Sequence, residues 1–298
     1  MGRIVRYISE DGGIICCAVD TTDMVNKAEQ IHKTSATVTA ALGRLLTGTS
    51  IMGYMLKGEN DSVTTRLDGK GPVGSIIAVS DSKGNTKGYA TNPIVEIPLN
   101  KYGKLDVSGA VGKDGFLTVM KEMGDTTPYT GHSPIVSGEI AEDFTYYYAK
   151  SEQIPTVCAL GVLVNTDLTV LAAGGYLVQL LPGATDETID KLELNVDKMP
   201  AISSLIADGK TPDDVTKMIM DGFQPQLLDE NIVEYRCDCS RDRIEKALIS
   251  VGKDELFKMA EEQEDTQVEC YFCNRKEHFS AAQIRNLAKQ SSNNETDE

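Results

Sequence analysis

Four cysteines near the C-terminal end, Cys237, Cys239, Cys270 and Cys273, form a Cys-x-Cys pair and a Cys-x-x-Cys pair with thirty residues between them. Four soft thiolates in two tight pairs suit a closed tetrahedral zinc site, which needs four ligands and no open position. The same spacing sets each sulfur beside one with which it could form a disulfide. A site that holds zinc when reduced and disulfides when oxidised is a redox switch. One that only holds zinc is a structural staple. Two Cys-x-x-Cys knuckles are the usual structural arrangement, and the Cys-x-Cys first pair departs from it. Arg236, Arg241, Arg243, Arg275 and Lys276 lie near the sulfurs in sequence, where they are expected to offset thiolate charge and favour thiolate over thiol. The staple reading has its own support: residues 231–271 hold few large apolar side chains, and so small a module usually needs a metal. Structural zinc contributes roughly 10–16 kcal/mol of apparent folding free energy, so its removal is expected to unfold the module. Spacing alone leaves switch and staple both open.

The remaining candidates read as packing or turns. His278 lies five residues past Cys273 and is the one substitute ligand, redundant beside four thiolates. Cys16 and Cys17 sit in an apolar run with Ile14, Ile15 and Val19, and Cys158 in another, so all three are expected in the core. Gly69-Lys70-Gly71-Pro72-Val73-Gly74 matches a dinucleotide fingerprint by letter. However, it leads into the strand-like Ser75-Ile76-Ile77-Ala78-Val79, where the motif requires a helix. Gly209-Lys210-Thr211 lacks the first glycine of a P-loop, since Ser204 stands there. Gly131-His132-Ser133-Pro134 reads as a turn without nucleophile-elbow spacing. Tyr146, Tyr147 and Tyr148 are consecutive on a helix, cannot share one stripe, and are expected to pack. No catalytic residue and no nucleotide site emerge.

Composition narrows the classes further. A net charge of −16 over 298 residues repels phosphate backbones and anionic lipid, against nucleic-acid binding. The opening Met1-Gly2-Arg3-Ile4-Val5-Arg6 has no secretory h-region, and Arg6 stands where myristoylation wants Ser or Thr. The longest apolar stretch, residues 35–56, is interrupted by Arg44 and does not reach a membrane span. Seven cysteines without an export signal imply a reducing cytosol, where paired cysteines are metal ligands or redox centres more often than bridges.

The elements that position these residues divide the chain in three, with an α+β architecture. Residues 1–182 read as a mixed β-sheet core with packed helices. It opens on a hairpin around Asp11-Gly12, followed by helices over 23–32 and 35–57. Turn-separated strands follow over 63–120, including a hairpin about Lys83-Gly84-Asn85, then a helix from Ser137 to about Lys150 and strands over 156–164 and 169–180. Residues 183–230 read as a linker of short amphipathic helices, capped at Thr185 and at Thr211-Pro212-Asp213-Asp214. Their apolar residues Ile189, Leu192, Ile202, Leu205, Ile206, Val215, Met218 and Ile219 recur at helical spacing and need a surface to lie on. Residues 231–298 form the small four-cysteine zinc-binding module. Ser240 caps a helix over 241–251 that ends at Gly252, a hairpin over 267–279 carries the second knuckle, and Ser280-Ala281-Ala282-Gln283 opens a final helix. The polar tail from Ser291 is expected to be disordered.

With these residues in view, the whole chain resembles the redox-regulated heat-shock chaperonin of about 33 kDa, an ATP-independent holdase of the bacterial cytosol. The likeness rests on Thr39-Ala40-Ala41-Leu42-Gly43-Arg44, Ser137-Gly138-Glu139-Ile140-Ala141-Glu142-Asp143 and Ser151-Glu152-Gln153-Ile154-Pro155. It continues in Ala173-Gly174-Gly175-Tyr176, Cys237-Asp238-Cys239-Ser240 and Cys270-Tyr271-Phe272-Cys273-Asn274. The resemblance implies one zinc on Cys237, Cys239, Cys270 and Cys273 in a reduced, inactive protein. It further implies that oxidation pairs Cys237 with Cys239 and Cys270 with Cys273 and expels the metal. Module and linker then lose structure, apolar surface is exposed to unfolding client proteins, and active molecules form homodimers. A constitutive zinc-ribbon protein that binds RNA or another protein through a structural zinc is the competing reading, its RNA form opposed by the acidic charge.

Overall fold

The structure, a computed structural model, describes residues 1–124 and 126–294, with side chains described through Gln290. The backbone separates into two compact units, residues 1–236 and 237–298.

The first unit opens with β1 (Gly2–Ile8) and β2 (Ile14–Asp20), a hairpin whose turn uses Gly12 at φ 69°. Helices α1 (Thr22–His32) and α2 (Ala36–Tyr54) follow. Every residue of α2 except Ala36 and Arg44 is buried, which its small Ala, Thr and Gly side chains permit. Its hydroxyls are satisfied inside: Thr47 donates to the Gly43 carbonyl at 2.8 Å, and Thr49 to that of Leu45 at 2.7 Å. Strands β3 (Ser62–Asp68), β4 (Ser75–Asp81) and β5 (Thr86–Ala90) lead through the short α3 (Val107–Val111) to β6 (Phe116–Glu122) and β7 (Tyr129–Pro134). These five strands form an antiparallel sheet in the order β5-β4-β3-β6-β7. The Gly69 to Gly74 stretch does lead into a strand, β4. His132, expected in a turn, lies within β7 opposite Thr118.

Helix α4 (Ala141–Tyr147) starts four residues later than expected from Ser137 and ends in a π-turn (Tyr148–Glu152). The reason is Asp143. Its buried carboxylate accepts the backbone N–H groups of Val136 at 2.8 Å, Ser137 at 2.9 Å and Ile140 at 2.9 Å, folding 136–140 into a tight turn. Arg44 of α2 donates to the Glu139 carboxylate at 2.6 Å, so two of the sequence stretches singled out above meet. Tyr147 and Tyr148 are buried as packing residues.

Strands β8 (Thr156–Val164) and β9 (Val170–Leu180) complete most of a second antiparallel sheet. The next segment supplies helices α5 (Asp186–Asp197), α6 (Ile202–Ala207) and α7 (Pro212–Ile219), then an unanticipated strand, β10 (Gln226–Val233). Thr185 and Thr211 cap α5 and α7 as expected, each accepting an N–H three residues on. The sheet order is β10-β1-β2-β9-β8. One face packs on α1 and α2, the other on α6 and α7. Period-two alternation therefore sends Cys17 to the α2 side and Cys16 to the α7 side, which explains an uninterrupted apolar run in β2. Cys16 and Cys17 are buried, and Cys158 is half-buried against the same core.

The linker helices seat Leu192, Ile202, Leu205, Val215 and Ile219 on the sheet. Met218, which helical spacing placed with them, is 37% exposed, and its neighbour Ile219 points inward instead. Gly161 and Gly174 let α6 approach: a Cβ at Gly161 would lie 2.9 Å from Ser203 Cβ, and one at Gly174 would collide with Ile206 Cδ1. Polar contacts add to the docking. Asp213, in the first turn of α7, pairs with Arg3 and accepts the Tyr7 hydroxyl at 2.7 Å. After β10 the chain clips onto the other sheet, where the Tyr235 hydroxyl donates to the Gly88 carbonyl at 2.8 Å.

The second unit contains α8 (Arg241–Ile249), α9 (Lys253–Glu262), β11 (Asp265–Glu269), β12 (Lys276–Ser280) and α10 (Ala281–Asn294). Helix α9 was not anticipated. Leu256 and Ala260 from it join Ile244, Leu248, Phe279, Ile284, Leu287 and Ala288 in a small core. This module therefore has more apolar support than residues 231–271 suggest. Residues 295–298, at the end of the tail expected to be disordered, lie outside the described residues.

Candidate metal centre

Two different local devices present the four sulfurs. Cys237 and Cys239 lie on extended chain, where alternation turns both side chains the same way just before Ser240 caps α8 by accepting the Arg243 N–H at 3.2 Å. Cys270 and Cys273 sit on the tight turn joining β11 to β12. There the Cys270 carbonyl accepts the N–H of Cys273 at 3.3 Å and of Asn274 at 2.8 Å. Asn274 takes φ 56°, a left-handed value asparagine tolerates better than most residues, so Cys-x-x-Cys-Asn is a self-contained knuckle.

The structure brings the four sulfurs together, all within 4.8 Å of one another. The Cys237–Cys270 Sγ separation is 3.8 Å and that of Cys239–Cys273 is 3.2 Å. Four zinc–sulfur bonds of about 2.3 Å in tetrahedral array place sulfurs about 3.8 Å apart, so the donor set fits zinc in type, number and spacing. All four cysteines are free thiols, half-buried in the chain. Among the described residues no other cluster of His, Cys, Asp or Glu is suited to hold a metal. His278 does not join it; its Nδ1 lies 2.7 Å from an Asp265 carboxylate oxygen.

Electrostatics differ across the quartet. Burial holds Cys239 well above the ordinary thiol range, reinforced by the sulfurs of Cys273 and Cys237, and burial likewise raises Cys237. Burial alone would raise Cys270 too, but the backbone N–H groups of Phe272 and Cys273 point at its sulfur and bring it below the ordinary value. Backbone amides of the knuckle, rather than arginines, thus favour the thiolate here. The nearby cations are engaged with carboxylates: Arg243 with Asp238, Arg275 and Arg241 with Glu277, and Lys276 with Glu269 at 3.7 Å. Glu277 was not foreseen from sequence. The signal for it was an arginine two places after the second cysteine of each pair.

Away from this centre the cysteines are inert by environment. Burial pushes the Cys16 and Cys158 thiols up to about 12 and holds Cys17 well above its ordinary value.

Fold and site together define an α+β protein with a C-terminal four-thiolate module able to take a zinc ion. The Hsp33 protein family model matches residues 2–280. A 33 kDa chaperonin of Clostridioides difficile is 46% identical over 287 residues, covering 96% of this chain and 98% of the relative. One from Oceanobacillus iheyensis is 45% identical, covering 95% and 98%. A solved structure of the 33 kDa chaperonin of Thermotoga maritima superposes with a TM-score of 0.88 at 35% identity, covering 98% and 99%. The chain belongs to the Hsp33 family, and with it to the chaperones.

Proposed function

We propose that the protein is a redox-gated, ATP-independent holdase of the cytoplasm, inactive with zinc on Cys237, Cys239, Cys270 and Cys273 and active once those sulfurs are oxidised. The observation that carries this reading is the convergence of four free thiols at ligand spacing, apart from Cys16, Cys17 and Cys158, which pack in the first unit. Zinc, when bound, would offset half of the thiolate charge and pin the two cysteine pairs together. Each pair of zinc-bound thiolates gives up two electrons on forming its disulfide. One peroxide per pair accepts them together with two protons from solvent and leaves as two waters. In this reading the disulfides are Cys237–Cys239 and Cys270–Cys273, the pairing the resemblance implies, and with its donors consumed the site would no longer retain a metal.

The domain roles follow the same reading. Residues 231–298 act as the sensor, 183–230 as the latch, and 1–182 as the client-binding and dimerisation core. The latch is docked by apolar side chains, each worth about 1.5–3 kcal/mol when fully buried, against a sheet face equally apolar on its own side. Undocking would expose Ile202, Leu205, Val215 and Ile219 together with Val5, Ile14 and Val178, a non-directional surface for unfolding clients. No chemical step on the client is needed, so the protein works as a binder rather than an enzyme. Nothing in this reading calls for nucleic acid or membrane. Among the described residues no helix is long and apolar enough to cross a bilayer.

The test is to treat zinc-loaded protein with hydrogen peroxide at a mildly unfolding temperature. Metal release to a chromogenic chelator and suppression of a client's aggregation are followed in the same sample. The proposal expects the two to rise together. A structural zinc in a constitutive binding protein predicts no gain of holdase activity.

A further inference from the structure

The two cysteine pairs are joined by protein contacts as well as by any metal. Arg241 follows Cys239 by two residues, and Arg275 follows Cys273 by two. Both guanidinium groups converge on one carboxylate. Arg275 Nε donates to Glu277 Oε1 at 2.8 Å, and Arg241 donates to Glu277 Oε2 at 3.1 Å. The Glu277 side chain is only 13% exposed, so this is a shielded charge held between two partners rather than a loose surface pair. Arg241 is itself fixed. It donates to the His278 carbonyl from two nitrogens at 3.3 Å and lies 4.2 Å over the ring of Phe279, a fully buried residue of the module core.

We propose that Glu277 is the positioning residue of the metal centre, clasping one arginine from each cysteine pair so that both pairs are held at ligand spacing. This inference rests on the zinc reading above. The clasp carries a net charge of +1, opposite in sign to the dianion formed by zinc and four thiolates. Its geometry supplies what spacing in sequence cannot, a fixed distance between halves of the site thirty residues apart. Residues of this supporting kind change metal affinity about 10–100-fold when removed.

The experiment uses the full chain and titrates zinc against a chromophoric chelator, then cobalt(II) as a spectroscopic probe of thiolate coordination. Glu277→Ala is expected to weaken zinc at least about tenfold and, at saturating cobalt, to give weaker sulfur-to-metal absorption per ion than the parent. Glu245→Ala removes the same charge and another Arg241 partner, 3.2 Å away, without crossing between pairs. It should bind within about twofold of the parent, below the range set by true supporting residues. Leu287→Ala loosens the module core and should lower affinity yet reach the parent cobalt spectrum at saturation, as a purely structural effect would. Glu277→Gln, nearly isosteric, should show the Glu277→Ala spectrum if that variant does not fold. A parent spectrum and parent affinity in Glu277→Gln, or a Glu277→Ala loss no greater than that of Glu245→Ala, overturns the clasp. Failure of the parent chain to bind one metal ion overturns the zinc reading and the clasp together.

Discussion

Thiol chemistry in this chain is decided residue by residue through burial and local N–H groups. Cys270 is drawn below the ordinary thiol value by the knuckle amides, whereas Cys16 and Cys158 are pushed up to about 12 by burial. A thiol with a pKa near 12 is almost wholly protonated at neutral pH and does not attack disulfide reagents. Without zinc the module is expected to unfold and bare Cys237, Cys239, Cys270 and Cys273, so metal-free protein treated with a chromogenic disulfide should titrate four thiols quickly and seven only after denaturation. Fast reaction of Cys16 would show that its α7 cover is not closed. Cys270→Ser should weaken zinc at least about tenfold and abolish the disulfide to Cys273, read by chelator competition and non-reducing peptide mapping. Mapping also tests the pairing itself, because a sulfur separation of 3.2 Å runs across the pairs from Cys239 to Cys273. A Cys239–Cys273 product would contradict the assignment carried over from the family.

The proposed latch is a property of whole elements. Ile219 of α7 is fully buried on the sheet, and Ile219→Ala should cost about 2–5 kcal/mol of docking. That variant is expected to suppress client aggregation while reduced and zinc-loaded; a variant as inactive as the parent would place client binding elsewhere. Asp213 supplies the polar half. Burial would raise its carboxyl, but the Tyr7 hydroxyl and Arg3 outweigh burial and hold it below the ordinary value of 3.8. A depressed carboxylate stabilises fully above pH 3.8, and its contribution is lost as pH falls through its lowered folded value. Asp213→Asn should accordingly weaken linker protection at neutral pH and flatten its acid dependence, measured by hydrogen exchange over residues 212–219. Much of this was legible in sequence. Turn residues and unbroken apolar runs marked β2, β8 and β9, and Thr-Pro-Asp-Asp marked the start of α7. What escaped depended on distant partners. The acidic residues Asp229 and Glu230 disguise β10, whose pairing with β1 spans more than two hundred residues of chain. Gly252, read as an end to α8, is also the cap that begins α9. The four sulfurs were legible because few other roles suit thiols so spaced. Glu277 was not, because its two arginines meet only once the knuckle has folded.

At the scale of the whole molecule, the four candidate metal ligands lie in the second compact unit, whereas the helices proposed as the latch pack within the first. A net charge of −16 keeps exposed apolar faces from collapsing non-specifically. Oxidised protein should sediment as a dimer where the reduced, zinc-loaded form does not, since newly bared faces of two copies can cover one another. A monomer in both states would remove dimerisation from the account. The most direct measurement is hydrogen exchange resolved along the chain, comparing the zinc-loaded form with the peroxide-oxidised form. The account predicts that oxidation strips protection from 186–219 as well as from the cysteine module, while β2, β8 and β9 stay protected. Full protection of 186–219 in a protein that has lost its zinc and gained both disulfides would contradict it.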